Sequence, residues 1–100
     1  MKVDRVADLL TSVNKTFGID DVDLIIIGSV ERERKAGNKL TIMNFVDNFR
    51  RTSPANTHRR IKKLCTKKLL EKVGSEDSGR VKFLATGKRF TELHAHLMEV

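Results

Sequence analysis

The most informative stretch of this 100-residue sequence spans residues 53–68 and reads SPANTHRRIKKLCTKK. Ser53 and Pro54 predict the start of a helix, because a serine hydroxyl caps free N–H groups and a proline at the first helical position gives up no hydrogen bond. Residues suited to a core recur at three- and four-residue spacing: Thr57, Ile61, Leu64 and Cys65. The stretch therefore predicts a helix from Pro54 to about Lys68 with one buried face.

The opposite face of this helix carries cations and hydrogen-bonding side chains. At 3.6 residues per turn, the side chains that point away from the core are Ala55, Arg59, Lys62 and Thr66, flanked by Asn56 and Lys63. Arginine can grip a guanine edge with two donors, asparagine an adenine edge, and lysine a phosphate. We predict that this helix enters the major groove of DNA, although a merely solvated face is the alternative. The candidate contacts are Ser53, Ala55, Asn56, His58, Arg59, Lys62 and Lys63.

The segments on either side of this helix complete a recognisable unit. Before it, Thr41 can cap a short helix whose apolar face is formed by Ile42, Phe45, Val46 and Phe49. Two short helices joined by residues 50–52 form a helix-turn-helix. After it, residues 70–73 read as a strand, residues 74–79 as a turn and residues 80–85 as a second strand with Val81, Phe83 and Ala85 on one face. This hairpin is typical of a wing.

Both ends of the chain predict further helices. The first runs from Val3 to Phe17 and stops at Gly18, and the second is capped by Asp20 or Asp21 and runs to about Lys35. Its centre, residues 24–27, is apolar on nearly every side, which indicates a buried position. Thr86 is predicted to cap a last helix that reaches the C-terminus. The whole chain, residues 1–100, is thus predicted to be one mainly α domain with a small β-hairpin: a winged helix-turn-helix with an extra helix at each end.

The net charge of +7 is concentrated in one part of the sequence. Residues 50–90 carry thirteen Lys and Arg against three Asp and Glu, whereas residues 1–49 carry seven against eight. A block of positive charge within the helix-turn-helix and hairpin indicates a polyanionic partner. Charge by itself does not separate duplex DNA from RNA, an acidic lipid or an acidic protein.

Residues 40–87 resemble the DNA-binding half of the MarR family of winged-helix regulators. The resemblance rests on Leu40-Thr41, on residues 53–64 as the recognition helix and on residues 68–72 as the entry to the wing. It implies a dimeric, DNA-binding repressor or activator of transcription. It also implies that the wing, with Asp77 and Arg80, sends the arginine to the minor groove. We predict that Arg80 and Lys82 are the DNA contacts of the wing. The family usually has Gly-Leu before the first wing strand, where this chain has Lys68 and Leu69.

The end helices carry the residues of a predicted dimer interface. Their apolar stripes supply Val6, Leu10 and Val13 from the first helix and Phe90, Leu93 and Leu97 from the last. The spacing of three and four in the last helix is like that of a short coiled-coil seam. The alternative is that the two helices pack against each other within one chain. We predict a homodimer.

The remaining chemistry-bearing residues predict no enzyme and no cofactor. Cys65 lies beside Leu64 and is better explained as a small core residue than as a redox sensor. His94 and His96 are two residues apart and so do not share a helix face to bind a metal. No phosphate loop, carboxylate pair or nucleophile with its base is present, and no small-molecule effector is indicated. We expect no signal peptide, because Asp4 and Asp8 interrupt the N-terminus, and no membrane span, so a cytoplasmic protein is predicted.

Two other functions are compatible with the sequence. A winged helix can serve as a protein–protein assembly module, which would require an exposed apolar patch where this sequence has Arg59, Lys62 and Lys63. It can also be a non-specific accessory protein that binds RNA or single strands. That function usually uses aromatic stacking platforms, whereas this sequence has no Tyr or Trp and places its five Phe at core-like positions.

Overall fold

The computed structural model describes residues 3–74 and 82–98. Its elements are α1 (Val3–Phe17), α2 (Asp21–Lys35), α3 (Ile42–Asn48), α4 (Pro54–Thr66), β1 (Leu70–Gly74), β2 (Lys82–Thr86) and α5 (Phe90–Met98). The two strands are antiparallel, with Leu70 opposite Thr86 and Gly74 opposite Lys82. This order confirms the predicted mainly α winged helix-turn-helix with an extra helix at each end. The predicted turn from Ser75, with Arg80 and Val81, lies outside the described residues.

Helices α2, α3 and α4 begin at predicted capping residues. The side chain of Asp20 accepts a hydrogen bond from the Asp23 N–H, and the Asp23 carboxylate accepts one from the Asp20 N–H, which is a reciprocal capping box. Thr41 caps α3 and Ser53 caps α4 by one bond each, in which the hydroxyl accepts from the N–H of Asn44 and of Asn56, respectively. Gly18 has a φ of +68°, the left-handed conformation that lets glycine end α1.

Helix α2 lies at the centre of the core, as its apolar middle predicts. Ile26, Ile27 and Val30 are almost fully buried, while Leu24 and Ile25 are half-buried. The helix contacts β2 and α4, α3 packs on α4, and α1 packs along α5. The rest of the buried apolar core comes from all other elements: Val13, Phe17, Ile19, Phe45, Val46, Ile61, Leu64, Leu69, Leu70, Leu84 and Leu93. The position of α2 fixes the helix-turn-helix and the hairpin on one scaffold.

The buried face of β2 differs from the prediction. Leu84 is buried, whereas Phe83 and Ala85, predicted to share the inward face with Val81, are only half-buried. The backbone explains the difference, because the Leu84 N–H donates to the Leu40 carbonyl at 2.8 Å and draws the segment before α3 onto this strand. Phe83 instead pairs with Thr41 in an isolated bridge, with the Lys39 ammonium 5.6 Å from its ring centre.

The last helix starts three residues later than a cap at Thr86 predicts. Thr86 was expected to cap it, but Thr86 is the final residue of β2 and pairs with Leu70. The chain then turns through residues 87–89, where the Gly87 N–H donates to the Leu69 carbonyl and the Arg89 N–H to the Lys68 carbonyl. A side chain at Gly87 would collide with the backbone carbonyls of Lys68 and Leu70. Thr86 therefore belongs to the strand pair, and residues 87–89, which the capping pattern assigned to the helix, form the turn before it.

A non-glycine residue in a left-handed conformation connects α4 to β1. Lys68 has a φ of +65°. The Leu69 N–H donates to the Leu64 carbonyl at 3.0 Å and the Lys68 N–H to the Cys65 carbonyl at 3.1 Å, the two bonds of a Schellman helix end. Lys68 is the position where the resemblance led us to expect glycine, and the backbone here has the conformation that glycine adopts without strain.

We expect the Lys68→Gly substitution to stabilise the protein. Occupying the left-handed region costs a non-glycine residue about 1–2 kcal/mol, and the greater freedom of glycine in the unfolded chain offsets about half of the gain from removing this strain. The melting temperature should rise by a few degrees in a thermal unfolding experiment. Lys68→Ala is the matched control, since it removes the same side chain and keeps the strain. Equal melting temperatures for the two variants would contradict this explanation.

Candidate nucleic-acid interface

Helix α4 is held in the fold by its inner face. Thr57, Ile61 and Leu64 are almost fully buried, as the spacing predicted. The Thr57 hydroxyl donates to the Ser53 carbonyl at 2.9 Å, which satisfies its polar atom inside the core. The Ser53 hydroxyl accepts from the Asn56 N–H at 3.2 Å. Ser53, a predicted DNA contact, thus already uses its side chain as the helix cap.

The outer face of α4 carries most of the predicted DNA contacts. Ala55, His58, Arg59, Lys62 and Thr66 are all exposed, and Ser53 is exposed at the start of the helix. None of Arg59, Lys62 and His58 forms an ion pair with a carboxylate in residues 3–74 or 82–98. These side chains point in a common direction from a helix whose other face is locked in the core. Together they form a rigid, positively charged ridge, which we call the α4 ridge: Ala55, His58, Arg59, Lys62 and Thr66.

Two predicted base-reading residues contact each other on this ridge. The Arg59 guanidinium donates to the Asn56 side-chain oxygen, and the Asn56 amide nitrogen donates to the Thr52 hydroxyl at 2.7 Å. The pair is anchored to the turn before α4 through Thr52. This network restricts the rotamers of both side chains before any partner arrives. Because an amide nitrogen has two N–H groups and an amide oxygen two lone pairs, Asn56 can keep both bonds and still make two bonds to an adenine edge.

A partly buried ion-pair network joins α4 to the start of α2. The Arg60 guanidinium lies 2.8 Å from both oxygens of Asp20 and 3.0 Å from Oδ1 of Asp23, and the Lys63 ammonium lies 2.6 Å from Oδ2 of Asp23. The Asp23 side chain is fully buried. Asp20 and Asp23 also cap the N-terminus of α2, so the same two carboxylates stabilise the start of α2 and bind the side chains of α4. The network fixes the angle at which α4 leaves the fold.

The ion pairs of this network lower the pKa of the Asp20 carboxyl. Partial burial by itself would raise the pKa of the Asp20 carboxyl. The hydrogen bonds from Arg60 and from the Asp23 N–H outweigh it, together with the positive charges of Arg60 and Lys63, and hold the pKa below its ordinary value. Asp20 therefore stays ionised at neutral pH and keeps Arg60 in place.

Lys63 occupies a different place from the one expected. The sequence predicted a phosphate contact, but the ammonium is paired with Asp23 and the side chain is 40% exposed. Its charge is therefore largely used within the protein. Arg60 was not among the predicted residues at all. Its partners lie 40 and 37 positions away, so only the pairing of α2 with α4 in space reveals it.

No protein-family model and no curated protein matches this chain. Among solved structures, the chain is similar to the crystal structure of a MarR/EmrR family transcriptional regulator from Acinetobacter sp. ADP1. The likeness covers 99% of this chain and 75% of that chain, with a TM-score of 0.64 and 20% sequence identity. The fold is a MarR-like winged helix. The added helices at both ends are part of this likeness, because nearly the whole chain is covered.

In this MarR-like fold the hairpin stands next to the α4 ridge. Strand β1 contacts α4 directly and pairs with β2 along its whole length. Lys82, a predicted contact, is exposed at the end of β2 that is farthest from α5. Asp77 and Arg80, the other two wing residues of the resemblance, lie outside the described residues.

The predicted dimer residues divide into two groups in the MarR-like fold. Val13 and Leu93 are about 1% exposed and belong to the chain's own core, where α1 packs along α5. This packing withdraws both from a surface that a second chain can reach. Val6 is 37% exposed, and Leu10, Phe90 and Leu97 are half-buried. Between α2 and α5 lies an apolar groove of about 450 Å³ that Phe90 and Leu97 help to line.

The MarR-like fold also places the side chains singled out for other chemistry. Cys65 is half-buried at the end of α4, beside the core rather than within it. The His96 imidazole makes a hydrogen bond of 2.9 Å with the Ser12 hydroxyl and packs edge-on against Phe17, so it ties α5 to α1. Within the described part of the chain, no three His, Cys, Asp or Glu side chains come together as metal ligands, and no helix is long and apolar enough to cross a membrane.

Proposed function

We propose that this chain is a cytoplasmic regulator of transcription that binds specific sequences in duplex DNA as a homodimer. In this proposal α4 enters the major groove and the wing, through Arg80, contacts the minor groove. The observation that carries the proposal is the α4 ridge, a rigid row of cations and hydrogen-bonding side chains on the exposed face of the second helix of a helix-turn-helix.

The distribution of ion pairs supports a role for the ridge outside the chain. Arg60 and Lys63, which point toward α2, are neutralised by Asp20 and Asp23. Arg59 and Lys62, which point outward from the same helix, have no such partner in the described residues. Helix α4 therefore combines two faces of different use, one bound to its own scaffold and one open to a polyanion.

An assembly module is less well supported by the surface. The large apolar side chains that are exposed in the described residues are Val3, Val6, Met43, Val73 and Met98, and none of them belongs to α4. A partner protein that docked on α4 would meet charge instead of an apolar centre, whereas protein interfaces are depleted of charge at their core. Duplex DNA matches the ridge better.

The proposal is tested by fluorescence anisotropy titrations with a labelled duplex, its single strand and an RNA duplex of the same length. We expect the DNA duplex to bind tightest and its affinity to fall steeply with salt, because each phosphate contact adds about 0.9 to the slope of log affinity against log salt. Tighter binding of the single strand or of RNA would favour the accessory role, and no binding to any of them would contradict the proposal.

We also propose that α1 and α5 form the dimer interface, with Val6, Leu10, Phe90 and Leu97 as its apolar residues. Val3 and Val6 on α1 and Met98 on α5 are exposed to 84, 37 and 74%. Apolar side chains at both ends of the chain, with the groove between α2 and α5, provide a surface that a second copy can cover.

We expect sedimentation to show a dimer at micromolar concentrations and the Val6→Glu variant to be monomeric. A carboxylate at position 6 would have to be desolvated in the interface, which is costly when it has no partner. Met43→Glu is the matched control, because Met43 is an exposed apolar residue on α3, away from the end helices. A monomeric full chain, or a Val6→Glu variant that dimerises like wild type, would contradict the proposed interface.

A further inference from the structure

A cavity of about 470 Å³ lies at the C-terminal end of α4, where it shares Lys62 and Thr66 with the outer face of that helix. It is bounded by the last turns of α4, by β1 and by the turn between β2 and α5. Its lining residues are Lys62, Cys65, Thr66, Lys68, Leu70, Glu71, Lys72, Gly87 and Lys88. Four of these nine residues are lysines, drawn from three separate segments of the chain.

Within the described part of the chain, no carboxylate pairs with the four lysines of this cavity. Lys62, Lys68, Lys72 and Lys88 are all exposed. One carboxylate, Glu71, is present in the lining. The cavity thus gathers an excess of positive charge that the described residues do not compensate, unlike the carboxylate-paired cations Arg60 and Lys63.

The backbone that bears these lysines is fixed. The Arg89 N–H donates to the Lys68 carbonyl at 2.8 Å, and the Gly87 N–H to the Leu69 carbonyl at 3.0 Å. The absence of a side chain at Gly87 allows this close approach, since a Cβ there would meet the Lys68 carbonyl. Buried Leu70 forms the floor. The turn after β2 is therefore held against the end of α4, which brings Lys88 to the same cavity as Lys68.

Cys65 gives the cavity a built-in reporter, because it is the single cysteine of the chain. Burial raises the pKa of its thiol, Lys72 and Lys68 oppose that shift, and Glu71 adds to it. Lys68, Lys72 and Glu71 thus lie close enough to influence the sulfur electrostatically. Modification of Cys65 therefore reports on what occupies the cavity.

We propose that this cavity binds a phosphate group through Lys62, Lys68, Lys72 and Lys88. Two sources supply this chemistry: a backbone phosphate of duplex DNA next to the α4 ridge, and a soluble polyphosphate. Lys62 belongs both to the ridge and to the cavity, so the positive surface is continuous from one to the other. Binding of a DNA phosphate rests on the proposed function, whereas binding of a soluble polyphosphate does not depend on it.

The first test measures the rate at which Cys65 reacts with an anionic aromatic disulfide and with a small neutral one. We expect inorganic triphosphate to slow the anionic reagent several-fold in the wild-type chain and to have little effect in the Lys72→Gln, Lys88→Gln double variant. The double variant Lys15→Gln, Lys35→Gln loses the same charge at exposed positions on α1 and α2 and should be protected like wild type. This test needs no DNA, so it holds even if the proposed function fails.

The second test repeats the protection with duplex DNA and adds binding titrations at several salt concentrations. If DNA supplies the phosphate, the duplex protects Cys65, and the Lys72→Gln, Lys88→Gln variant loses about 0.9 from the salt slope for each phosphate released. If triphosphate protects and the DNA slope is unchanged, the site binds a soluble polyphosphate. If neither protects Cys65 and the two double variants bind DNA alike, the phosphate site is overturned.

Discussion

The Asp23→Ala substitution should lower the free energy of unfolding by about 2–3 kcal/mol, because it removes a helix-capping bond and charge-assisted hydrogen bonds to two cations. The Asp23 side chain is fully buried and holds both Arg60 and Lys63. Its removal leaves the Lys63 ammonium without a carboxylate and takes away half of the capping box of α2. Both losses act on the contact between α2 and α4.

Chemical denaturation of wild type and variant measures this effect. Asp21→Ala is the matched control, because Asp21 is an exposed carboxylate in the same first turn of α2. It should cost less than about 1 kcal/mol, the value of a surface charge near a helix N-terminus. Similar losses for the two variants would show that Asp23 acts through the helix dipole alone and that the network does not fix α4.

The largest expected effect on binding belongs to the Arg59→Glu, Lys62→Glu double variant. Each contact of this kind contributes about 1–3 kcal/mol, so the loss of both should weaken duplex binding about 30-fold or more. Both side chains are exposed, so the fold should remain intact. Anisotropy titration in a fixed buffer gives the ratio of affinities, and circular dichroism checks the fold.

A second double variant separates contact from overall charge. Lys15→Glu, Lys35→Glu changes the net charge by the same amount at exposed positions on α1 and α2. It should weaken binding only slightly, and mainly at low salt, because distant charges are screened. Equal losses in the two double variants would mean that DNA responds to net charge, and the α4 ridge would lose its assigned role.

Local sequence signals were sufficient for most of the architecture. Caps at Asp20, Thr41 and Ser53 and the apolar spacing of α4 are properties of neighbouring residues, and each was confirmed. The cap predicted at Thr86 was wrong, because this residue pairs with Leu70 in the hairpin instead. A capping pattern within one segment does not show that a partner strand is present. Likewise, Leu84 is buried because of a bond to Leu40, forty-four positions away.

The site was harder to predict than the fold. The exposed side chains of α4 follow from helix periodicity alone, so the exposure of Arg59 and Lys62 was predicted correctly, while their role in binding stays a prediction. Lys63 was predicted to contact DNA because its position on the helical wheel lies between the buried and exposed faces. In the structure its ammonium pairs with Asp23 of α2. The cavity at the end of α4 is formed by three segments that meet in space, so no pattern within one segment indicates it.

The central claim is that the α4 ridge reads a DNA sequence, and selection from a pool of random duplexes tests it most directly. After several rounds of binding and amplification, we predict an enriched motif that the chain binds at least about 1,000-fold more tightly than a shuffled duplex. For a homodimer the motif should be a palindrome with half-sites about one helical turn apart. A pool that retains chain-binding duplexes but shows no enriched sequence would contradict the claim.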